Sequence, residues 1–375
     1  MKSCLQNFAQ WLLSWIGIFM FISQSWALDI NSRFRVEQGQ GPVTRSGSGT
    51  YGGTCYGTDA DLSAIYTEAI DLAQVALDSL NSYATSATVR ATVETFFGIK
   101  ADSSSPTTVS AIDSAQFAYV KYIFGQIIAF STGTEDAKIS QPGFFCDDSW
   151  RWRTEMDYGS DGQMNGRTIS QVTGGAVKWS WWSPLYKSFL GAGPGCVHNN
   201  MEATLGFTTI SDTQKVYTIT MCPYSFTRAK RKDSLSAWRS KEKIIADGTP
   251  LRAALSTPGT LMHELAHLVT KQVVTDETLP NGQKAYFPPN VATLAAESKA
   301  KAVKNADTYT WFAIAMYLDQ CDWSRQICAQ STSTSTVAKR SNNQTSTDMA
   351  LMRRSNRRTF LPRVLTGLKG DSRRH

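Results

Sequence analysis

The sequence predicts an α+β protein, predominantly helical, with a small strand-rich portion. Three observations lead there. Residues 59–83 carry Leu62, Ile65, Tyr66, Ala69, Ile70, Ala73, Ala76, Leu77 and Leu80 at helical spacing. Residues 143–226 change to aromatic and β-branched side chains interrupted by Gly, Pro and Asn, the composition of short strands and turns. From residue 238 to 318 the apolar spacing becomes helical again.

In chain order, residues 1–27 read as a secretory signal peptide. Lys2 is their lone charge, an apolar run spans Trp11–Ile22, and Ser25-Trp26-Ala27 has the small-x-small form of a cleavage site. The run is short for a membrane span, and no later segment matches it without charges, so no stable membrane association is expected. Residues 28–54 form a lead-in that could include a pro-region, residues 55–328 the main domain, and residues 329–375 a tail.

Within the domain, the first helix is expected over 59–83, behind a Thr58/Asp59 cap. A second is expected over 109–130, on Ile112, Ala115, Phe117, Val120, Ile123, Phe124 and Ile127. Lys215–Met221 is the clearest strand. Trp179-Ser180-Trp181-Trp182 reads as a strand whose aromatics fill a core, in preference to an exposed stacking platform. His198, in a Gly/Pro loop beside Cys196, reads as a surface or hydrogen-bonded histidine in preference to a metal ligand. Further helices are expected over 238–245, around His263, and as one long segment over 291–318.

Cysteine and charge bear on compartment and partners. Six cysteines remain after the signal (Cys55, Cys146, Cys196, Cys222, Cys321 and Cys328), an even number that suits disulfides in an oxidising, extracellular setting. Their pairing is open, with Cys321–Cys328 the evident local candidate. The tail from Ala329 holds ten Lys/Arg against two Asp, a net of +8, whereas residues 1–328 hold 28 against 29, a net of −1. The body is nearly neutral, and a nucleic-acid-binding role for the basic tail is the lesser reading, so no nucleic-acid partner is expected. The polar, basic tail reads as a solvated or removable extension.

The chemistry concentrates in His263-Glu264-Leu265-Ala266-His267. Two histidines four residues apart project from one helical face, which suits two imidazole nitrogens on a single Zn²⁺. Glu264 is then placed as general base. Thr257 as cap and Pro258 at the first helical position mark the start of this helix, and the end is expected near Lys271. A third ligand is required. The spacing H-E-x-x-H-x-x-G-x-x-H is excluded, because Thr270 and Val273 occupy the positions of its glycine and third histidine. Asp276, nine residues after His267, and Glu297, on the next helix, both remain open.

The combination of His263-Glu264-x-x-His267 with a following Asp276 resembles the aspzincins, the deuterolysin-type secreted fungal zinc metalloendopeptidases. Similar features fall in the same order: a Cys ahead of an Ala/Leu-rich helix (Cys55, then Leu62 to Leu80), Thr220-Met221-Cys222-Pro223 before the catalytic helix, and Asn305-Ala306-Asp307-Thr308-Tyr309 after it. The resemblance is patchy over Cys55–Leu318. It implies a zincin-like domain, one Zn²⁺ held by His263, His267 and Asp276, Glu264 as base, and Asp307 near the substrate pocket. Lysine-selective members carry a second acid where this chain has Thr310. The family's oxyanion-stabilising Tyr falls at Leu279, which leaves Tyr286 as the residue that could fold back to serve. The functional expectation is a secreted, monomeric zinc metalloendopeptidase acting on proteins or peptides. The alternative is a secreted binding or effector protein that keeps a structural or vestigial metal site.

Overall fold

A computed structural model describes residues 27–37, 55, 61–159, 162–191, 193, 195–198, 202–226 and 234–330. Residues 1–26, where a signal peptide is expected, most of residues 28–54 and those beyond Gln330 lie outside the described residues. The architecture is α+β, as read from the sequence.

Six helices of two or more turns are described: α1 Leu62–Asn81, α2 Ala87–Phe97, α3 Ser114–Thr132, α4 Thr257–Val269, α5 Phe287–Glu297 and α6 Ala306–Tyr317. The strands are β1 Arg35–Val36, β2 Gly143–Phe145, β3 Trp152–Thr154, β4 Met156–Tyr158, β5 Met164–Thr168, β6 Ser180–Ser183, β7 Ser188–Phe189, β8 Val197–His198, β9 Glu202–Ala203, β10 Gly206–Ser211, β11 Val216–Met221, β12 Cys321–Asp322 and β13 Ala329–Gln330. The main sheet has the order β1-β2-β11-β10, with β10 at one edge. Helix α4 packs against α1, α3 and α6, and against β10 and β11. None of the helices among the described residues is long and apolar enough to cross a membrane.

The helical spacings of the sequence place the core. In α1, Ile65, Ala69, Leu72, Ala73, Ala76 and Leu80 are buried, and the Asp61 side chain caps the helix by accepting the Ala64 N–H. In α3, Val120, Ile123, Phe124, Ile127 and Phe130 are buried. This helix begins five residues later than its periodicity suggests, because Ala111–Asp113 form a tight 3-10 turn ahead of it.

Other expectations need correction. Helix α2 is absent from the sequence reading, since Thr88, Val89, Thr92, Val93 and Thr95 are β-branched. Its signals were its ends: Ser86 caps it, and Gly98 closes it in the left-handed region at φ 67°. A Cβ at Gly98 would lie 2.4 Å from the Ala295 carbonyl oxygen, so α2 meets α5 closely only through that glycine. The segment 238–245 holds one helical turn, Ser236–Arg239, ending just before Lys241 at φ 63°. The single helix expected over 291–318 is interrupted at Ser298 and again at Asn305, both of which adopt extended backbone as N-caps.

Contacts among the described residues also extend past 55 and 328. Ile30 and Phe34 of the lead-in sit in the main core, and β1 pairs in parallel with β2. At the other end, β13 pairs with β12, which carries the domain to Gln330. A short apolar element joins a core only through distant partners, so neither limit showed in local pattern.

The aromatic portion folds as small antiparallel sheets, β3-β6-β7 and β4-β5. Trp182 is buried and stacked on Tyr158, with ring centroids 5.0 Å apart, and it also meets Phe189. Of the three tryptophans expected to fill a core, Trp182 does so, while Trp179 and Trp181 are half-buried. Three disulfides, Cys55–Cys146, Cys196–Cys222 and Cys321–Cys328, use all six cysteines of the domain.

Candidate metal centre

Helix α4 is capped by Ser256, one residue earlier than the expected cap, and the Ser256 hydroxyl oxygen accepts the Gly259 N–H. All 13 of its residues are buried, His263, Glu264 and His267 included. Burying three ionisable side chains on one helix is costly unless each finds a partner. The partners come from β10, from the chain that returns after α4, and from α6.

The return is tight. Lys271 and Gln272 both lie in the left-handed region, at φ 49° and 61°, two consecutive non-glycine residues where few such residues sit. This reversal ends α4 at Val269 and turns the chain back along it. Val274 then places its carbonyl 2.9 Å from His267 Nδ1. Thr275 bridges in parallel to Asn305, just before α6, and the Glu277 N–H donates to Asn305 Oδ1. Between these anchors, Asp276 Oδ1 comes within 3.2 Å of His263 Nε2 and 3.3 Å of His267 Nε2.

Further along, a hairpin closed by the bridge between Thr278 and Lys284 brings Tyr286 to the same place. The Tyr286 hydroxyl donates to Asp276 Oδ2 at 3.0 Å. Leu279 is buried in a small apolar cluster with Ala285, Leu294 and Ala295. The residue at the expected tyrosine position therefore packs, and the tyrosine seven residues later reaches the site. Behind His263, Asp307 Oδ1 faces Nδ1 at 2.8 Å.

Hydrogen-bond logic fixes what this group can hold. A carbonyl oxygen can only accept, so His267 Nδ1 must carry the proton it donates to Val274. His263 Nδ1 likewise donates to the Asp307 carboxylate. In the neutral imidazoles both Nε2 atoms then present lone pairs, and they are 3.1 Å apart. Asp276 Oδ1 points at both and is buried without a hydrogen-bond donor. Three acceptors facing one another repel unless a cation lies between them. Ligands at about 2.0–2.1 Å from a tetrahedral zinc stand about 3.3–3.4 Å apart, close to the three separations observed. Two imidazole nitrogens and one carboxylate oxygen match zinc chemistry, and these residues fit the ion.

The electrostatics agree. Burial disfavours a charged His263, but the Asp276 and Asp307 carboxylates outweigh it and hold the imidazole pKa above its ordinary value. Burial likewise opposes ionisation of Asp276, yet the two imidazoles hold it far below the usual carboxylate range. The centre attracts positive charge and takes a proton when no other cation competes. Glu264 is shifted the other way: burial raises its pKa, against the lowering effect of His263 and His267. Burial and the neighbouring Asp276 push the Tyr286 phenol up, so it remains a neutral donor.

Of the residues read from sequence, His263, Glu264, His267, Asp276 and Tyr286 come together. Glu297 does not: it is exposed at the end of α5 and lies outside the group of close ligand atoms. Asp307 lies beside the group, behind His263, with both oxygens accepting from donors of the protein. Two residues on β10 escaped the sequence reading. The Thr208 hydroxyl donates to Glu264 Oε2 at 2.8 Å, and Gly206 lies so close that a Cβ there would meet Glu264 Oε1 at 3.0 Å. Neither belongs to a local pattern, since the contact spans 56 residues.

No protein-family model matches the chain, and no curated protein matches it. Among solved structures, a zinc peptidase from Grifola frondosa aligns over 68% of this chain and 93% of that one, at 16% identity and a TM-score of 0.31. A likeness of that size carries no weight in the functional reading, which rests on the geometry above.

Proposed function

We propose that this chain is a zinc-dependent metalloendopeptidase that hydrolyses peptide bonds of exported or extracellular substrates. One observation carries the reading: one ligand atom from each of His263, His267 and Asp276 lies within 4.8 Å of the other two, beside a buried glutamate that a purely structural metal site would not need.

Zn²⁺ held by these three residues would supply Lewis-acid polarisation of a carbonyl and of water. The remaining steps belong to the chain. Glu264 takes the proton of the attacking water and later passes it to the leaving amine. Its burial-raised pKa suits both directions of transfer. Thr208 fixes the carboxylate by donating to Oε2, and the missing side chain at Gly206 leaves room for the other oxygen. Tyr286, a neutral phenol beside Asp276, is placed to donate to the oxyanion that develops on the substrate.

Strand β10 offers the substrate a place to lie. The Cys222 N–H donates to Leu205 O, so in the antiparallel ladder Phe207, Thr209 and Ser211 bond to β11, while Gly206, Thr208 and Ile210 turn their backbone groups to the outer edge, where the Gln272 side chain donates to Thr208 O at 3.1 Å and would give way to a peptide. A peptide that adds to this edge runs past Glu264.

The test is Glu264→Ala. The variant is expected to fold and retain zinc while chelator-sensitive cleavage of casein falls by about 10²–10⁴-fold. Cleavage equal to wild type refutes the role of Glu264. No chelator-sensitive cleavage of a mixed peptide library by the wild-type protein favours the binding-protein alternative.

A further inference from the structure

Asp307 takes three hydrogen bonds on two oxygens, and only one of the donors is a candidate metal ligand. Oδ1 accepts from His263 Nδ1 at 2.8 Å, while Oδ2 accepts from the Phe287 N–H at 2.8 Å and from the Trp311 indole N–H at 3.1 Å. We infer that Trp311 is a positioning residue of the metal centre, acting through Asp307 on His263.

The helix places it. Asp307 and Trp311 are four residues apart on α6 and share a face, and a long helical side chain leans toward the N-terminus. The indole therefore reaches back over the carboxylate one turn away. Trp311 is 1% exposed, so its N–H has little access to water and depends on Asp307 as its acceptor. The second donor is held in place by strain: Phe287 sits at φ 66°, unusual for an aromatic residue, and this turns its N–H onto Oδ2.

The consequence is one of aim. An indole N–H donates and cannot accept, so it keeps Oδ2 as an acceptor and fixes the carboxylate plane. With Oδ2 held, Oδ1 stays on His263 Nδ1 and maintains the tautomer whose Nε2 lone pair faces Asp276 and His267. The Asp307 side chain is 14% exposed, and without these donors it would be free to rotate toward water or a basic substrate group. Trp311 thus commits Asp307 to the metal ligand. Seen with the peptidase reading, on which this last point rests, it withdraws the acid from any lysine of the substrate.

The experiment measures zinc affinity of the full chain, by competition with a chromophoric chelator. Trp311→Phe is expected to weaken zinc binding roughly tenfold, at the lower end of what losing an outer-sphere partner costs. Replacing Trp311 by 3-benzothienylalanine, which keeps the shape and loses the N–H, should do the same if the phenylalanine variant folds poorly. Trp323→Phe is the control, because it also loses a buried indole bond, to Leu318 O at 2.8 Å, but away from the centre. It should stay within about twofold of wild type. With four histidines in the chain, proton–nitrogen correlation spectra can follow the His263 Nδ1 proton, which should exchange faster in the Trp311 variants. Unchanged affinity in both Trp311 variants, or equal weakening by Trp323→Phe, overturns the inference. Cleavage enters none of these readouts: Trp311-dependent zinc binding in a protein that cleaves nothing would refute the peptidase reading alone.

Discussion

Helices α1 and α4 pack against each other in one core, and each buries a glutamate, yet the two carboxylates are treated differently. Glu68 on α1 accepts the Leu235 N–H at 2.6 Å, a donor supplied from inside the fold. Glu264 on α4 takes one hydroxyl, from Thr208, and otherwise faces His263, His267 and Asp276. Burial raises the pKa of both. The difference teaches that burial alone does not mark a site. Glu68 has a backbone donor from inside the fold, whereas beside Glu264 one ligand atom each from His263, His267 and Asp276 converge in the arrangement proposed to hold a cation.

The largest effect that would break this comparison is loss of the cation. Asp276→Ala should cost more zinc affinity than the roughly 10–100-fold of an outer-sphere loss, because it removes a donor to the ion. Glu297→Ala should change nothing, since that side chain is exposed on α5. Zinc content after parallel dialysis against a mild chelator decides it; retention by Asp276→Ala with loss by Glu297→Ala reverses the ligand assignment.

A smaller effect sharpens the role of β10. A methyl at Gly206 would sit 3.0 Å from Glu264 Oε1 and 3.2 Å from Thr220 O, so the carboxylate must give way by a few tenths of an ångström. Gly206→Ala is expected to lower kcat by about tenfold with zinc content and KM little changed, since misplacement acts on the reacting geometry. A drop in KM and kcat together, or loss of metal, would show that Gly206 serves packing.

The smallest effect concerns Glu68. Its pKa is raised in the folded state, so its ionisation opposes folding. The favourable contribution is fully present below the unfolded pKa of about 4.3 and is lost as pH rises through the folded value. Glu68→Gln can still accept the Leu235 N–H without a charge. It should stabilise the protein near pH 8 by on the order of 1 kcal/mol and do nothing near pH 4, as read by urea midpoints. A gain of equal size at both pH values would assign the effect to packing.

What the sequence determined by itself lies within short reach along the chain. His263, Glu264 and His267 were legible because helical spacing alone puts them on adjoining faces of one turn. Helices α1 and α3 were legible because their buried residues repeat at that spacing, and the helix-start signal at Thr257–Pro258, one residue past the actual cap, is local chemistry. Asp276 was legible only as one of two candidates, since nine residues permit a return but do not compel one. The tertiary structure brings it to the two histidines: the left-handed pair Lys271–Gln272 reverses the chain, and the bridge from Thr275 to Asn305 holds it there. The same is true of Tyr286 in place of Leu279, of Asp307 turned onto His263 by Trp311 and Phe287, and of Thr208 and Gly206 on Glu264. Each is a contact between residues that no local period relates, and its free energy appears only when separate elements are packed together.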